Sequence, residues 1–186
     1  MFQIHLGNIT EKGSDLDQQA DASSLPLLME TLRDGSIGFV QPVRARIHAT
    51  KTGETVQLKG NVQTRVRLAC SRCLEPFELT LKNDFSVSAS REMPLLSDAD
   101  AANEIELEAD RIDVIAYSGD HIDLRDEIAQ QIIMALPIKA LCRETCKGLC
   151  GGCGVDLNRS SCTCTTRNDH TPFAVLERIS FPGKKE

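Results

Sequence analysis

The chain has 186 residues, eight cysteines and a formal net charge of −6. That length lets one domain, or one domain with a small appendage, bury a core without covalent help, and the cysteine content falls well short of a disulfide scaffold. The acidic balance argues against a general nucleic-acid binder, and no apolar run approaches the roughly 18 residues that a membrane span requires.

The opening, MFQIHLGNITEKGSDLDQQ, has no basic n-region, apolar h-region or small-residue cleavage site. A cytoplasmic protein in a reducing compartment is therefore expected, without membrane partners. Phe2 to Leu6 reads as a short strand, and residues 10–24, polar and acidic without periodicity, read as loop. Together they form an N-terminal strand and loop over 1–36, within which LPLLMETLR (25–33) is long enough for two helical turns. From Gly38 the pattern changes to period two, with Val43, Ala45 and Ile47 alternating with Arg44, Arg46 and His48. Residues 51–54, KTGE, are a turn signal, and TVQLKGNVQTRVRLA (55–69) resumes the alternation. Val62, Thr64, Val66 and Leu68 share one face of it; Gln63, Arg65 and Arg67 share the other. After CSRCLEP, FELTLKNDFSVSAS (77–90) reads as another strand. The expectation is an antiparallel β meander or partly closed sheet, apolar on one face and arginine-bearing on the other.

Residues 94–106 are acidic and rich in alanine with no stop signal, which predicts an acidic mobile loop over 92–110. RIDVIAY (111–117) suggests a short strand. DLRDEIAQQIIMALP (123–137) is the clearest helix, with Asp123 as N-cap and Asp126 and Glu127 at the positive end of its dipole. Its apolar stripe is Leu124, Ile128, Ile132, Ala135 and Leu136, and Pro137 ends it. TPFAVLERI (171–179) predicts a last helix, with Thr171 as cap and Pro172 at its first position. The class is α+β: a core domain over 1–137 with one main helix, then a cysteine-rich zinc-binding segment and C-terminal helix over 138–186.

Six of the eight cysteines lie within residues 142–164, and Cys70 and Cys73 stand upstream in CSRCL. A Cys-x-x-Cys turn places two sulfurs where they can share one tetrahedral ion, and a glycine after it relieves the backbone. CGGCG has that glycine at Gly154, whereas CSRCL has Leu74. Eight thiols divide into two four-sulfur sets, each matching a closed structural zinc site. One division pairs Cys70 and Cys73 with Cys142 and Cys146, and leaves Cys150, Cys153, Cys162 and Cys164 as a compact second set. Another groups Cys142, Cys146, Cys150 and Cys153 and leaves Cys70, Cys73, Cys162 and Cys164. Local chelation does not separate the two sharply, and one occupied site with spare thiols also stays open. Rival chemistries fit less well. The C-x3-C-x2-C run from Cys146 to Cys153 has an iron–sulfur spacing but no long βα repeat after it. CSRC lies between strands rather than at the helix N-terminus that a thiol–disulfide oxidoreductase requires. The histidines at 5, 48, 121 and 170 do not pair at ligand spacing, although His170 lies six residues after Cys164. No nucleophile–base pair, phosphate loop or open metal position is evident, so neither an enzyme nor a small-molecule substrate is expected.

Charge is segregated along the chain: residues 40–82 carry eight Lys/Arg and three Asp/Glu, and residues 92–127 carry two and twelve. Arg44, Arg46, Arg65 and Arg67 fall on the outward face of alternating strands, and planar guanidinium groups suit phosphate. Three readings stay open: contact with RNA backbone, internal pairing with the acidic stretch 104–127, or a face that merely keeps the protein soluble.

CSRCLEPFE after a strand, the helix DLRDEIAQQIIMALP and LCRETCKGLCGGCGVDLNRSSCTC together resemble the YceD family, also called domain of unknown function 177. The resemblance covers about residues 37–180. It implies a role in 23S rRNA accumulation and large-subunit biogenesis, with rRNA or an assembly intermediate as partner. An adaptor that docks a ribosomal protein through the acidic segment is the alternative. The resemblance carries no catalytic residues.

Overall fold

The computed structural model describes residues 2–10, 12–33, 35, 37–91 and 114–164. The predicted acidic loop over 92–110 and the predicted helix over 171–179 lie outside them.

Alternation of β-branched and polar residues builds the sheet. β1 (Gln3–His5) opens the chain, followed by β2 (Ser14–Ala20), the short helix α1 (Pro26–Thr31) and β3 (Gly38–Phe39). Three long strands come next: β4 (Val43–Thr52), β5 (Thr55–Ala69) and β6 (Pro76–Ser90). Then come β7 (Val114–Ala116), β8 (His121–Asp123) and the main helix α2 (Arg125–Ala135). The principal sheet runs β2-β4-β5-β6-β7, an open path rather than the partial closure that the sequence allowed. All its pairings are antiparallel except β6 with β7. β3 lies alongside the far end of β5, in line with β4. The ladder breaks between them, where Pro42 has no N–H and Val40 and Gln41 both donate to the carbonyl of Arg65. β1 and β8 form a separate two-stranded sheet.

The core lies on one face of the principal sheet. Val43, Ala45, Ile47 and Ala49 from β4 meet Val56, Leu58, Val62, Val66 and Leu68 from β5 and Leu81, Phe85 and Val87 from β6. Leu25 and Leu28 from the α1 region and Ile128, Ala129 and Ile132 from α2 close this layer, with Phe2, Ile4 and Ile122 from the small sheet. Within it Gln131 is satisfied by Asn83 and Glu127. No described helix is long and apolar enough to cross a membrane.

Two local expectations change. Residues 14–20, expected as loop, form β2 and pair with β4 from Ser14↔Ala49 to Ala20↔Val43. Their periodicity is weak because the inward positions are Leu16, Gln18 and Ala20, so tertiary pairing rather than propensity decides the strand. Asp123 ends β8, and Leu124 is the N-cap of α2. The Asp123 carboxylate still accepts from the Arg125 N–H at 3.0 Å, which fills the expected role from one residue earlier.

Gly60 faces Ile47 across β4 and β5. A Cβ there would stand 2.3 Å from the carbonyl oxygen of Arg46, a backbone atom that cannot turn aside. Gly60→Ala should therefore cost about 1–3 kcal/mol of stability as the strands are forced apart, read as a lower urea midpoint.

Candidate metal centres and basic face

The first cluster grows out of the β5–β6 hairpin. These strands are in register to Ala69↔Pro76, so residues 70–75 form the connection. Within it the Leu74 N–H donates to the Cys70 carbonyl at 2.9 Å, and the Cys70 N–H donates to the Glu75 carbonyl at 3.0 Å. The result is a tight knuckle with both sulfurs on one side. The chain leaving α2 supplies the other half. The Ser71 N–H donates to the Ala140 carbonyl at 2.7 Å, and Arg72 Nη1 donates to the carbonyls of Glu144 at 3.1 Å and Cys146 at 2.7 Å. Gly148, at φ +76°, lets the Arg72 carbonyl approach; a Cβ there would lie 3.0 Å from it.

Two groups of four sulfurs result: Cys70, Cys73, Cys142 and Cys146, and Cys150, Cys153, Cys162 and Cys164. Within each group all four Sγ atoms lie within 4.8 Å of one another. This is the first of the two divisions that spacing left open. A tetrahedral ion with bonds of about 2.3 Å sets its sulfurs about 3.8 Å apart. Cys70 and Cys146, and likewise Cys73 and Cys142, stand at 3.8 Å, while Cys150 and Cys162 are closer at 3.2 Å. All eight thiols are free, and these separations are far beyond the roughly 2.05 Å of a disulfide. The donor sets fit a soft, tetrahedral ion.

The second knuckle repeats the first. The Gly154 N–H donates to the Cys150 carbonyl at 2.9 Å, and the Cys150 N–H donates to the Val155 carbonyl at 2.8 Å. Its setting differs in degree: the first group has Cys70, Cys73 and Cys146 buried and Cys142 exposed, whereas the second has only Cys150 buried, Cys162 intermediate and Cys153 and Cys164 exposed. The amide N–H groups of Cys142 and Cys73 hold the Cys70 thiol down to about 6. Those of Cys153 and Gly152 do the same for Cys150, also to about 6. Burial, with the neighbouring sulfurs of Cys70 and Cys146, pushes Cys142 up to about 12. The adjacent sulfurs of Cys153 and Cys150 push Cys164 up to about 12. Each cluster thus pairs a ready thiolate with a thiol that holds its proton, as expected where negative sulfurs crowd without a cation between them.

Asn158 links the clusters. Its Oδ1 accepts from the Lys147 N–H at 2.9 Å, and its Nδ2 donates to Cys146 Sγ at 3.4 Å and to Asp156 Oδ1 at 2.7 Å. Sequence reasoning gave no role to Asn158 or Arg72. The signal available was a polar side chain at fixed offset from a cysteine, and only the fold shows what it reaches.

The four arginines do lie on the outer face of the sheet, but three are already paired. Arg44 forms a two-point contact with the Asp17 carboxylate, with Nε to Oδ1 at 2.8 Å, and Arg46 Nε lies 3.5 Å from the same group. The Arg44 guanidinium holds the Asp17 carboxyl below its ordinary value. His48 meets Asp15 at 2.7 Å, and Arg67 meets Glu78 at 3.1 Å. The acidic partners of β4 therefore come from β2, a segment read as loop. Residues 104–113 of the acidic stretch lie outside the described residues. Arg65 has no ion-pair partner among the described residues, and neither have Lys59 and Lys82 on the same face. Those two lysines were not singled out by the sequence reading.

The profile of the family described as "Large ribosomal RNA subunit accumulation protein YceD" matches residues 58–180. The chain belongs to the YceD family. It is 29% identical over 175 residues to the "Large ribosomal RNA subunit accumulation protein YCED homolog 1, chloroplastic" of Zea mays, covering 83% of this chain and 59% of the relative. To the Arabidopsis thaliana protein of the same description it is 24% identical over 155 residues, covering 74% of this chain and 48% of the relative. The chain thus spans about half the length of the curated relatives it matches. No solved structure matches it. The YceD match encloses all eight cysteines, Arg65 and Arg67, while Arg44 and Arg46 precede it.

The two clusters should differ when broken. Cys70→Ser opens a contact between turns far apart in sequence and should lower the urea midpoint of the whole sheet. Cys150→Ser should raise hydrogen exchange mainly over 147–164 and leave the urea midpoint of the sheet close to that of wild type, because that segment contributes no strand to it. Equal global losses would contradict this division.

Proposed function

We propose that this protein is a ribosome-biogenesis factor, and not an enzyme, that supports 23S rRNA accumulation during large-subunit assembly. Membership of a family described by large-subunit rRNA accumulation is the observation that carries this reading. Two structural zinc ions would be held by the eight cysteines, one by Cys70, Cys73, Cys142 and Cys146 and the other by Cys150, Cys153, Cys162 and Cys164. Zinc supplies a charge that neutralises crowded thiolates and fixes four ligands without redox demands. Free thiols suit the reducing cytoplasm in which this reading places the protein.

The RNA contact in this reading is the outer sheet face. Arg65, Lys59 and Lys82 have no ion-pair partner among the described residues. Arg44, Arg46 and Arg67 sit in solvent-exposed ion pairs, which contribute little and can exchange a carboxylate for a phosphate. No tryptophan is present and only one tyrosine, so stacking on bases is not what this face offers. Contact to backbone and shape is the chemistry that remains.

Four outcomes test the proposal. Elemental analysis of the purified protein should give two zinc ions per chain and no iron, and a coloured protein with acid-labile sulfide would overturn the zinc assignment. Zinc affinity should fall as pH drops through the neutral range, because Cys142 and Cys164 already hold protons the metal must displace, and fall more steeply below about 6, where Cys70 and Cys150 take up protons as well. Arg65→Glu with Lys82→Glu should weaken binding to transcribed 23S rRNA about tenfold or more at moderate salt and make the salt dependence shallower by about two phosphate contacts. Unchanged binding would remove this face from the RNA contact. Depletion in the host should lower 23S rRNA relative to small-subunit rRNA, and an unchanged ratio would overturn the biological reading.

A further inference from the structure

At the first knuckle the chain carries leucine where the backbone favours glycine. Leu74 has φ +60° and is the one non-glycine residue with positive φ among the described residues. The second knuckle serves as an internal comparison. Gly154, at the same place after Cys-x-x-Cys, has φ +74° and makes the same N–H to carbonyl bond, at 2.9 Å in both turns. Folding alone is therefore served by glycine. A Cβ in this left-handed region crowds the neighbouring carbonyl oxygen, a strain that glycine does not carry. Leu74 is 65% exposed, whereas Phe77, Leu141 and Leu149 are partly buried against the first cluster. An exposed aliphatic side chain held in a strained turn points outward to a ligand.

The surroundings say which kind. The Ser71 N–H meets the Ala140 carbonyl, beside Lys139, and the Leu149 N–H meets the Arg72 carbonyl, near Lys147. Arg72 also binds the Glu144 carbonyl, beside Arg143. Lys139, Arg143 and Lys147 are exposed and have no ion-pair partner among the described residues. Lysine is depleted at protein–protein interfaces, whereas cations carried on the segment that is hydrogen-bonded to the knuckle, of which Arg143 also acts on Asp156, suit the phosphates on either side of an unpaired nucleotide.

We propose that the first knuckle is a single-stranded RNA contact, in which an unpaired base packs on Leu74 and adjacent phosphates meet Lys139, Arg143 and Lys147. The inference rests on the RNA reading above and adds a second contact, distinct from the sheet face.

The test uses the full zinc-loaded chain and transcribed 23S rRNA. Leu74→Gly relieves the turn, so its thermal midpoint and zinc content should equal or exceed those of wild type while its affinity falls about fivefold to tenfold. Leu74→Asn, which also tolerates this backbone, should behave alike if the glycine variant folds poorly. Leu74→Met keeps an apolar surface and should bind within twofold of wild type. If wild type binds and both Leu74→Gly and Leu74→Asn bind equally well, the knuckle inference is overturned and the RNA reading stands. If wild type itself does not bind 23S rRNA at low salt, the RNA reading fails and this inference fails with it. If Leu74→Gly loses capture of a ribosomal protein from nuclease-treated lysate yet keeps RNA affinity, the knuckle docks protein and the RNA contact is overturned.

Discussion

Four sulfurs converge from two turns that lie 69 or more residues apart, and the order of the chain beyond α2 depends on that convergence. Residues 138–164 form no helix and only an isolated bridge, Leu149↔Asp156, so hydrophobic burial has little to hold them with. Backbone donors and the Arg72 guanidinium supply the rest, aimed at carbonyls and sulfurs. Crowded thiolates repel, and buried ones are poorly solvated. A dication held between them, as proposed above, would turn this crowding into a cross-link. Because the loop it would close is long, the entropy removed from the unfolded chain would be large.

The second cluster depends on the first. Cys146 belongs to the first group and Cys150 to the second, with only Lys147, Gly148 and Leu149 between them. Asn158 then ties the loop after the second knuckle to the sulfur of Cys146. Order therefore runs outward, from hairpin to first cluster, then along 146–150 to the second.

What the sequence made legible divides by range. The meander of β4, β5 and β6 was readable because each strand alternates cleanly, and α2 because its apolar residues recur at helical spacing. Both signals are local. β2 was not readable: its inward residues are only weakly apolar, and its outward Asp15 and Asp17 find their partners on β4, 33 and 27 residues away. β8 is three residues long and borrows its order from β1. Among the cysteines, residue type and count pointed to two four-sulfur sets, but spacing could not choose between the divisions. The choice depends on Ala140 reaching Ser71, a tertiary contact with no local signature. Leu74 was visible as a departure from the glycine pattern, yet its left-handed backbone and exposure are properties of the folded turn.

The first cluster and the basic face share one strand. Arg65 and Arg67 lie on β5 just before Cys70, and Lys82 lies on β6 across from Gln63. A two-stranded ribbon frays at its end, where pairing runs out and the twist is free to change. Here that end is the knuckle, tied to the chain leaving α2, and it keeps the neighbouring rows of side chains at fixed spacing. A surface that meets phosphates through long arginine and lysine side chains loses affinity to every rotamer and backbone motion it must freeze. Fixing the hairpin end in advance reduces that cost for Arg65, Arg67 and Lys82 together. In the proposed RNA reading, the cysteines would act on RNA affinity through the rigidity of the strands that present the cations. In that reading, breaking the first cluster should weaken rRNA binding even where the sheet stays folded, and breaking the second should not.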